Sequence, residues 1–80
     1  MGIKTLLKEE INLTDMRDIH IQLIEKGKTL LVDIRGYVKT SNYTGYTNKG
    51  ITFRLDKLPL FMNKLREFME KVRDTYGDKD

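Results

Sequence analysis

Apolar and polar residues alternate with a period of two in the middle of the chain, a pattern typical of β-strands with one buried face. The first alternating run lies at residues 19–24, and a shorter one lies at residues 51–55. The clearest run covers residues 29–40, where the interior Gly36 predicts a bend or bulge. This run places Leu30, Val32, Ile34 and Val38 on the predicted core face and Leu31, Asp33, Arg35, Tyr37 and Lys39 on the opposite face.

The last third of the chain changes to a helical period. Asp56 is a suitable N-cap, and Pro59 follows where a helix tolerates proline, in its first turn. Apolar residues then recur at spacings of three and four, which predicts an amphipathic helix of about five turns over residues 57–76 and a frayed tail at residues 77–80. The apolar stripe consists of Leu58, Phe61, Met62, Leu65, Phe68, Met69, Val72 and Tyr76.

Two segments give mixed signals. In residues 3–13, Ile3, Leu6, Leu7 and Ile11 fit helical spacing, whereas Ile11 and Leu13 alternate like the start of a strand, so the fold of residues 1–18 stays open. Asp15 and Asp18 indicate a turn before the first alternating run. Residues 41–50 are rich in Asn, Thr and Gly and predict a loop or a twisted hairpin tip.

The elements predict a single α+β domain: an antiparallel sheet of three to four strands over residues 19–56, followed by one C-terminal helix. A chain of 80 residues buries little of its surface, and without cysteine it has no disulfide to stabilise it. The helical stripe is also larger than one face of a small sheet covers. We therefore expect a homodimer, although the stripe alternatively packs on its own sheet. The predicted interface consists of Phe61, Met62, Leu65, Phe68, Met69 and Val72.

The excess positive charge is local. Residues 25–54 contain six Lys or Arg and two acids, so this segment accounts for the formal net charge of +3, and it also contains three of the four tyrosines. Cations neutralise phosphates and flat rings stack on unpaired bases, so the combination indicates a surface for single-stranded nucleic acid. The candidate contacts are Lys26, Lys28, Arg35, Tyr37, Lys39, Tyr43, Tyr46, Lys49 and Arg54.

Three short motifs occur in a fixed order: Lys26-Gly27-Lys28, then a strand from Val32 to Tyr37, then Lys49-Gly50-Ile51-Thr52 directly before the helix region. Together they resemble the positive cofactor four family of transcriptional coactivators and its bacterial and phage relatives. The match covers residues 19–72. The resemblance implies a curved antiparallel sheet, a dimer formed through the helices, and a groove for single-stranded or melted DNA.

By position, the resemblance implies that Lys26 and Lys28 meet phosphates, that Arg35 and Tyr37 line the groove, and that Lys49 and Gly50 form its other wall. The chain departs from the family pattern at three positions, where Glu25 and Val38 replace aromatic residues and Asn48 replaces an arginine. Tyr43 and Tyr46 are candidates to supply the missing rings.

Each of these residues also has a structural interpretation. Arg35 shares a strand face with Asp33. It either forms an ion pair with Asp33 or presents its forked guanidinium to a phosphate or a base. Tyr37 is either a cross-strand packing partner or a stacking platform. Lys26 and Lys28 are otherwise solubilising charges on a turn, and Arg54 otherwise decorates a sheet edge.

The remaining chemistry gives little support to other classes of function. His20 is the only histidine and is expected to face solvent, so neither a metal site nor a cofactor is expected. No nucleophile accompanies the carboxylates and no phosphate-binding glycine motif is found, so we expect no enzyme. The absence of a long apolar run or a secretion signal predicts no membrane contact and an intracellular location, cytoplasmic or nucleoid-associated.

The leading hypothesis is a single-stranded DNA-binding protein acting in transcription, replication or repair. One alternative is a protein-interaction module, such as a small phage or bacterial regulator, that grips a partner through the tyrosine-rich loop at residues 41–48. Another is duplex or RNA binding through the same basic sheet, with DNA expected in preference to RNA.

Overall fold

The computed structural model describes residues 2–77 and shows a four-stranded antiparallel sheet followed by one helix, which confirms the α+β class. The strands pair in sequence order as an open meander, so β1 and β4 are its edges. Gly77 follows the helix, and residues 78–80 of the predicted tail lie outside the described range. The elements are β1 (Ile3–Thr14), β2 (Arg17–Lys26), β3 (Thr29–Lys39), β4 (Thr44–Arg54), a 3₁₀ turn (Leu55–Lys57) and α1 (Leu58–Tyr76).

The strand register confirms the two faces that the alternation predicts for β2 and β3. Ile21 pairs with Ile34, and Leu23 with Val32, so the aliphatic residues of the two strands share one side of the sheet. We call this side the apolar face. The opposite side, where His20 pairs with Arg35, is the polar face. Because register fixes which side chains meet, all later contacts of the site follow from this pairing.

The ladder between β3 and β4 is interrupted at Gly36, as the sequence predicts. Arg35 pairs with Gly50 and Tyr37 pairs with Tyr46, so the single residue Gly36 lies opposite the three residues 47–49. We call this irregularity the bulge. It releases three residues of β4 from regular pairing, and their backbone carbonyls become available to other partners.

Three predictions on element boundaries need correction. Residues 41–50 are a loop only in part, because β4 already begins at Thr44 and pairs there with Lys39. Asp18 lies in β2 rather than in a turn, and the connection between β1 and β2 is the pair Asp15–Met16. Asp56 is not the helix N-cap. It lies within the 3₁₀ turn, its carboxylate lies 3.6 Å from Arg54, and Lys57 occupies the N-cap position.

The helix leaves the sheet after its first turns. Phe61 packs on Phe53 with 5.2 Å between ring centroids, and only Leu58 and Phe61 of α1 are even partly covered. Among the described residues, Val32 is the only buried apolar side chain. The radius of gyration is 15.3 Å, whereas a compact domain of this length has about 12 Å. The alternative in which the stripe packs along its own sheet is therefore wrong for this chain, and the stripe is left largely uncovered.

Membrane-spanning character is not found in the described part of the chain, where α1 is too polar to cross a bilayer.

Candidate functional site

Three rings form a cluster on the polar face where β2, β3 and β4 meet. Tyr37 stacks on His20 with 4.4 Å between centroids and 9° between planes. Tyr46 meets both rings edge-on, at 5.2 Å from His20 and 5.0 Å from Tyr37. Tyr37 is thus a cross-strand packing partner, one of the two roles that the sequence left open. Tyr46 is still 36% exposed, so the cluster keeps part of its aromatic surface accessible.

The expectation that His20 faces solvent is wrong. His20 does point to the polar face, but it is only 3% exposed, because the Tyr37 ring covers it and Tyr46 stands beside it. Its Nδ1 lies 3.0 Å from the Tyr46 hydroxyl. Local alternation assigns a residue to a face, whereas cover from other strands depends on long-range pairing that alternation does not contain.

Tyr43 lies in the short loop between β3 and β4 and is 54% exposed. Its hydroxyl donates a 2.7 Å hydrogen bond to the backbone carbonyl of Tyr46, and the ring crosses Gly45 closely. Gly45 has a φ of 156°, and a Cβ there would lie 2.8 Å from the Tyr43 hydroxyl oxygen. The loop therefore holds the ring of Tyr43 against the backbone at the start of β4, beside Gly45 and Tyr46.

Arg35 is engaged within the protein. Its guanidinium donates two hydrogen bonds to the buried carboxylate of Asp33, at 3.0 and 3.3 Å. The Nη1 atom donates to the backbone carbonyls of Thr47 and Asn48, both at 3.2 Å. Arg35 thus closes the bulge by binding the carbonyls that the broken ladder releases, and the internal ion pair considered from the sequence is present.

Asp33 is the anchor of this arrangement, being only 5% exposed. Thr52 adds a 2.7 Å hydrogen bond to its Oδ1 from β4. Burial raises the pKa of Asp33, but the hydrogen bonds from Arg35 and Thr52 and the charge of Arg35 outweigh it and leave the pKa below its usual value. The carboxylate consequently stays ionised and ties β3 to β4 beside the bulge.

Lys39 lies at the end of β3 and pairs with Asp18, its Nζ 3.3 Å from Oδ2. The other carboxylate oxygen of Asp18 accepts a 2.8 Å hydrogen bond from the Asn12 side chain. This bond, together with Lys39, lowers the pKa of Asp18 although its burial acts in the opposite direction. One predicted cation is therefore already neutralised by a carboxylate within the chain.

Three predicted cations have no carboxylate partner among the described residues: Lys26 and Lys28 at the turn between β2 and β3, and Lys49 in the bulge. Arg54 pairs with Asp56, but both side chains are more than 60% exposed and the pair is weak. Lys28 and Arg54 line one shallow depression. Lys49 lines another with Arg17, a cation that the sequence analysis missed because it lies before the basic segment.

The predicted contacts are therefore distributed in two groups along the sheet. Lys26 and Lys28 lie at one end, and the ring cluster with Lys39 and Tyr43 lies at the other. At about 3.3 Å per residue, the six steps along β3 from Thr29 to Arg35 put roughly 20 Å between the turn and the bulge. The arrangement suits an extended chain-like ligand better than a compact one.

Gly50 is required by close packing on both sides. A Cβ at this position would lie 2.8 Å from the Ile34 carbonyl oxygen and 3.0 Å from Cζ of Arg35. We expect Gly50→Ala to displace Arg35 from the bulge and to lower stability by about 1–3 kcal/mol, as other overpacking substitutions do. For a domain of this size, thermal unfolding should show a decrease of at least about 4 °C.

The matched control for this substitution is Gly2→Ala, since no atom lies within 4 Å of the corresponding Cβ. It should leave the midpoint within about 1 °C, because it changes an exposed residue outside the sheet. Equal midpoints for the two variants would contradict the tight packing at Gly50.

The predicted dimer-interface residues are mostly uncovered in the single chain. Their exposed fractions are 51% for Met62, 49% for Leu65, 65% for Phe68, 54% for Met69 and 41% for Val72. Phe61 alone is partly covered, by Phe53. The stripe is thus a continuous exposed apolar surface, which in soluble proteins marks a contact with another molecule.

A scan against models of known protein families and a search of curated proteins both find no match for this chain. The resemblance to the positive cofactor four family therefore stays a prediction drawn from three short motifs.

Proposed function

We propose that the chain forms a homodimer that binds single-stranded nucleic acid, DNA in preference to RNA, along the polar faces of its sheets. One observation carries the proposal: partly exposed aromatic rings and lysines that have no carboxylate partner among the described residues share a surface about 20 Å long. Lys26 and Lys28 lie at one end of this surface, and Tyr37 and Tyr46 lie at the other, beside the loop that carries Tyr43.

The chemistry of the exposed groups supports an unpaired strand as the ligand. The acids of the polar face are already engaged, Asp33 by Arg35, Asp18 by Lys39 and Glu10 by Lys8, so they repel phosphates less than free carboxylates would. Lysines hold phosphates as flexible point charges, and tyrosine rings stack on bases without selecting among them. Binding by these groups is electrostatic capture followed by stacking, with little preference for sequence.

In this proposal Arg35 is a positioning residue rather than a direct contact. Its four hydrogen bonds run to Asp33 and to the carbonyls of Thr47 and Asn48, so its guanidinium has little capacity left for a phosphate. By closing the bulge it fixes the backbone on which Lys49 stands. The role that the resemblance implies for Arg35 is replaced here by an indirect one.

The uncovered apolar surface supports the dimer. The helix stripe lacks cover in one chain, and a second copy provides complementary apolar surface of the same kind. Two sheets held together by paired helices would present two polar faces to one strand of nucleic acid.

The test is fluorescence anisotropy with labelled oligo(dT) at several salt concentrations. Six lysines per dimer on phosphates predict a slope of log affinity against log salt near −4, or about 300-fold weaker binding between about 50 and about 200 mM salt. Lys49→Gln removes two contacts per dimer, so it should reduce the slope by about 1.4. Competition with duplex DNA and with RNA of the same sequence ranks the three ligands.

The control is Lys71→Gln, which removes the same charge from a position on α1 outside the apolar stripe. It should leave the slope unchanged. A salt-independent affinity, or equal effects of Lys49→Gln and Lys71→Gln, would contradict the proposed surface. Absence of binding to every nucleic acid would instead favour a protein-interaction module using the exposed Tyr43 loop.

A further inference from the structure

The Nε2 atom of His20 is buried and has no hydrogen-bond partner within the described residues. The His20 side chain is 4% exposed, and Tyr37 covers one side of its ring. A buried polar atom without a partner costs about 1–3 kcal/mol, so such atoms are rare and indicate a missing ligand. On the other side of the ring, Nδ1 lies 3.0 Å from the Tyr46 hydroxyl.

The unpartnered nitrogen points at two carboxylates. Nε2 lies 3.8 Å from Oδ2 of Asp18 and 3.9 Å from Oε2 of Glu10, and the three ligand atoms lie within 4.8 Å of one another. These separations are too long for direct hydrogen bonds. Ligand atoms about 2.1 Å from one tetrahedral metal ion are about 3.4 Å apart, so small side-chain rotations would close the site. Glu10 is half exposed and its ion pair with Lys8 lies at the surface, so its side chain can rotate to make this adjustment.

In Asp18 and His20, the polar atom that does not face the site already has a hydrogen-bond partner. Asn12 donates to Oδ1 of Asp18 at 2.8 Å, which leaves Oδ2 directed at His20. When Nδ1 donates its hydrogen to the Tyr46 hydroxyl, the lone pair of the ring lies on Nε2. Metal-binding histidines and carboxylates are oriented by outer partners in this manner.

Two lysines currently balance the cluster. Lys39 places its ammonium 3.3 Å from Oδ2 of Asp18, and Lys8 places its ammonium 3.5 Å from Oε2 of Glu10, but both lysine side chains are more than 40% exposed and can swing into solvent. A divalent ion would compensate both carboxylates from one position, whereas each ammonium reaches only one of them. The site therefore favours exchange of the ammonium groups for a more highly charged ion.

We propose that Glu10, Asp18 and His20 bind one divalent transition-metal ion through Oε2, Oδ2 and Nε2, with water completing the coordination. One imidazole and two carboxylates suit zinc and its first-row neighbours better than calcium or magnesium, which prefer oxygen ligands alone. The ion would join β1 to β2 beneath the aromatic cluster. This site does not depend on the proposed nucleic-acid function, and its test contains no nucleic acid.

The test is titration of the full chain with zinc chloride, followed by calorimetry and by NMR of the histidine ring. The protein must be free of a histidine tag; then His20 is the only imidazole and no thiol competes. We expect one zinc ion per chain, a shift of the His20 ring signals, and a thermal midpoint that rises with excess zinc. No ring perturbation at millimolar zinc would overturn the proposal, even if heat is released elsewhere.

The variants Glu10→Gln and Glu9→Gln form a matched pair. Both remove one glutamate from exposed β1, but Glu10 lies beside His20 and Glu9 pairs with Ile21 on the other face. Glu10→Gln should weaken zinc binding at least tenfold, and Glu9→Gln should not change it. Lys39→Met should tighten binding several-fold by removing one competing ammonium. Equal weakening by both glutamate variants would show diffuse surface binding and would overturn the site.

Discussion

Met69→Asp should convert the protein from a dimer to a monomer at micromolar concentration. Met69 lies in the middle of the α1 stripe and is 54% exposed in the single chain, so its burial depends on a partner. Burying a methionine contributes about 1.5–3 kcal/mol, and a twofold interface contains the residue twice. The loss of at least about 3 kcal/mol corresponds to more than about 100-fold weaker association. An unpaired buried carboxylate adds to this cost.

Sedimentation equilibrium gives the measurement, with a monomer mass of 9.4 kDa as the reference. The matched control is Asn63→Asp, which adds the same charge on the opposite side of α1 and keeps the acceptor for Arg66. It should remain dimeric. A wild-type mass of 9.4 kDa at these concentrations would contradict the proposed dimer, and a dimeric Met69→Asp would place the interface elsewhere.

Dimerisation should also connect stability to concentration. In the proposed dimer much of the apolar burial comes from association, since Val32 is the only buried apolar residue described in the single chain. The thermal midpoint of the wild type should then rise with protein concentration, and that of Met69→Asp should not.

The strands with regular alternation could be predicted, and those with bulges could not. The pairing of β2 with β3 is unbroken, so every second side chain lies on the same face of the sheet. The apolar residues therefore keep a spacing of two in the sequence. In β1, by contrast, the register shifts between Thr5 and Leu7 and again between Asn12 and Thr14. Each shift changes the phase of the alternation by one residue, so the apolar residues of an edge strand acquire spacings that imitate a helix.

The first half of β4 was hidden for a related reason. Residues 44–50 contain few apolar side chains, so their composition does not indicate a strand. Residues 47–49 also lie in the bulge, which interrupts any alternation. Its pairing is supported instead by Arg35, which binds two bulge carbonyls from the neighbouring strand. Such side-chain support is set by a contact across the sheet and leaves no local pattern.

For the site, the sequence indicated which basic and aromatic residues lie on the polar face. It did not show which of them already bind one another within the chain. Charge and aromatic content indicated the polar face, on which Tyr37, Lys39 and Tyr46 do lie together. The bulge carbonyls that Arg35 binds and the rings that cover His20 come from other strands, so a binding role and a structural role could not be separated before the register was known. The buried His20 is the clearest example, because no alternating pattern distinguishes a covered polar residue from an exposed one.

Asp33→Asn should destabilise the protein by about 2–3 kcal/mol near neutral pH. The substitution weakens the bonds with Arg35 at 3.0 and 3.3 Å and the bond from Thr52 at 2.7 Å, and it leaves the guanidinium without its counter-ion. The pKa of Asp33 is lowered in the folded chain, despite a burial effect that raises it, because these partners favour the ionised form. Its stabilising contribution is therefore complete above the unfolded value of about 3.9 and is lost as the pH falls through the lower folded pKa.

Urea unfolding of the wild type and the variant between about pH 2 and pH 7 tests both parts of this expectation. The difference in unfolding free energy should be largest above about pH 5 and should shrink toward zero in acid, since protonated aspartate and asparagine are both neutral. The control is Asp56→Asn, whose ion pair with Arg54 is more than 60% exposed on both sides and should contribute less than about 0.5 kcal/mol. A pH-independent difference for Asp33→Asn would mean that its carboxylate acts through packing and not through charge. Because Arg35 closes the bulge, the same variant should also weaken the contribution of Lys49 to any binding at the polar face.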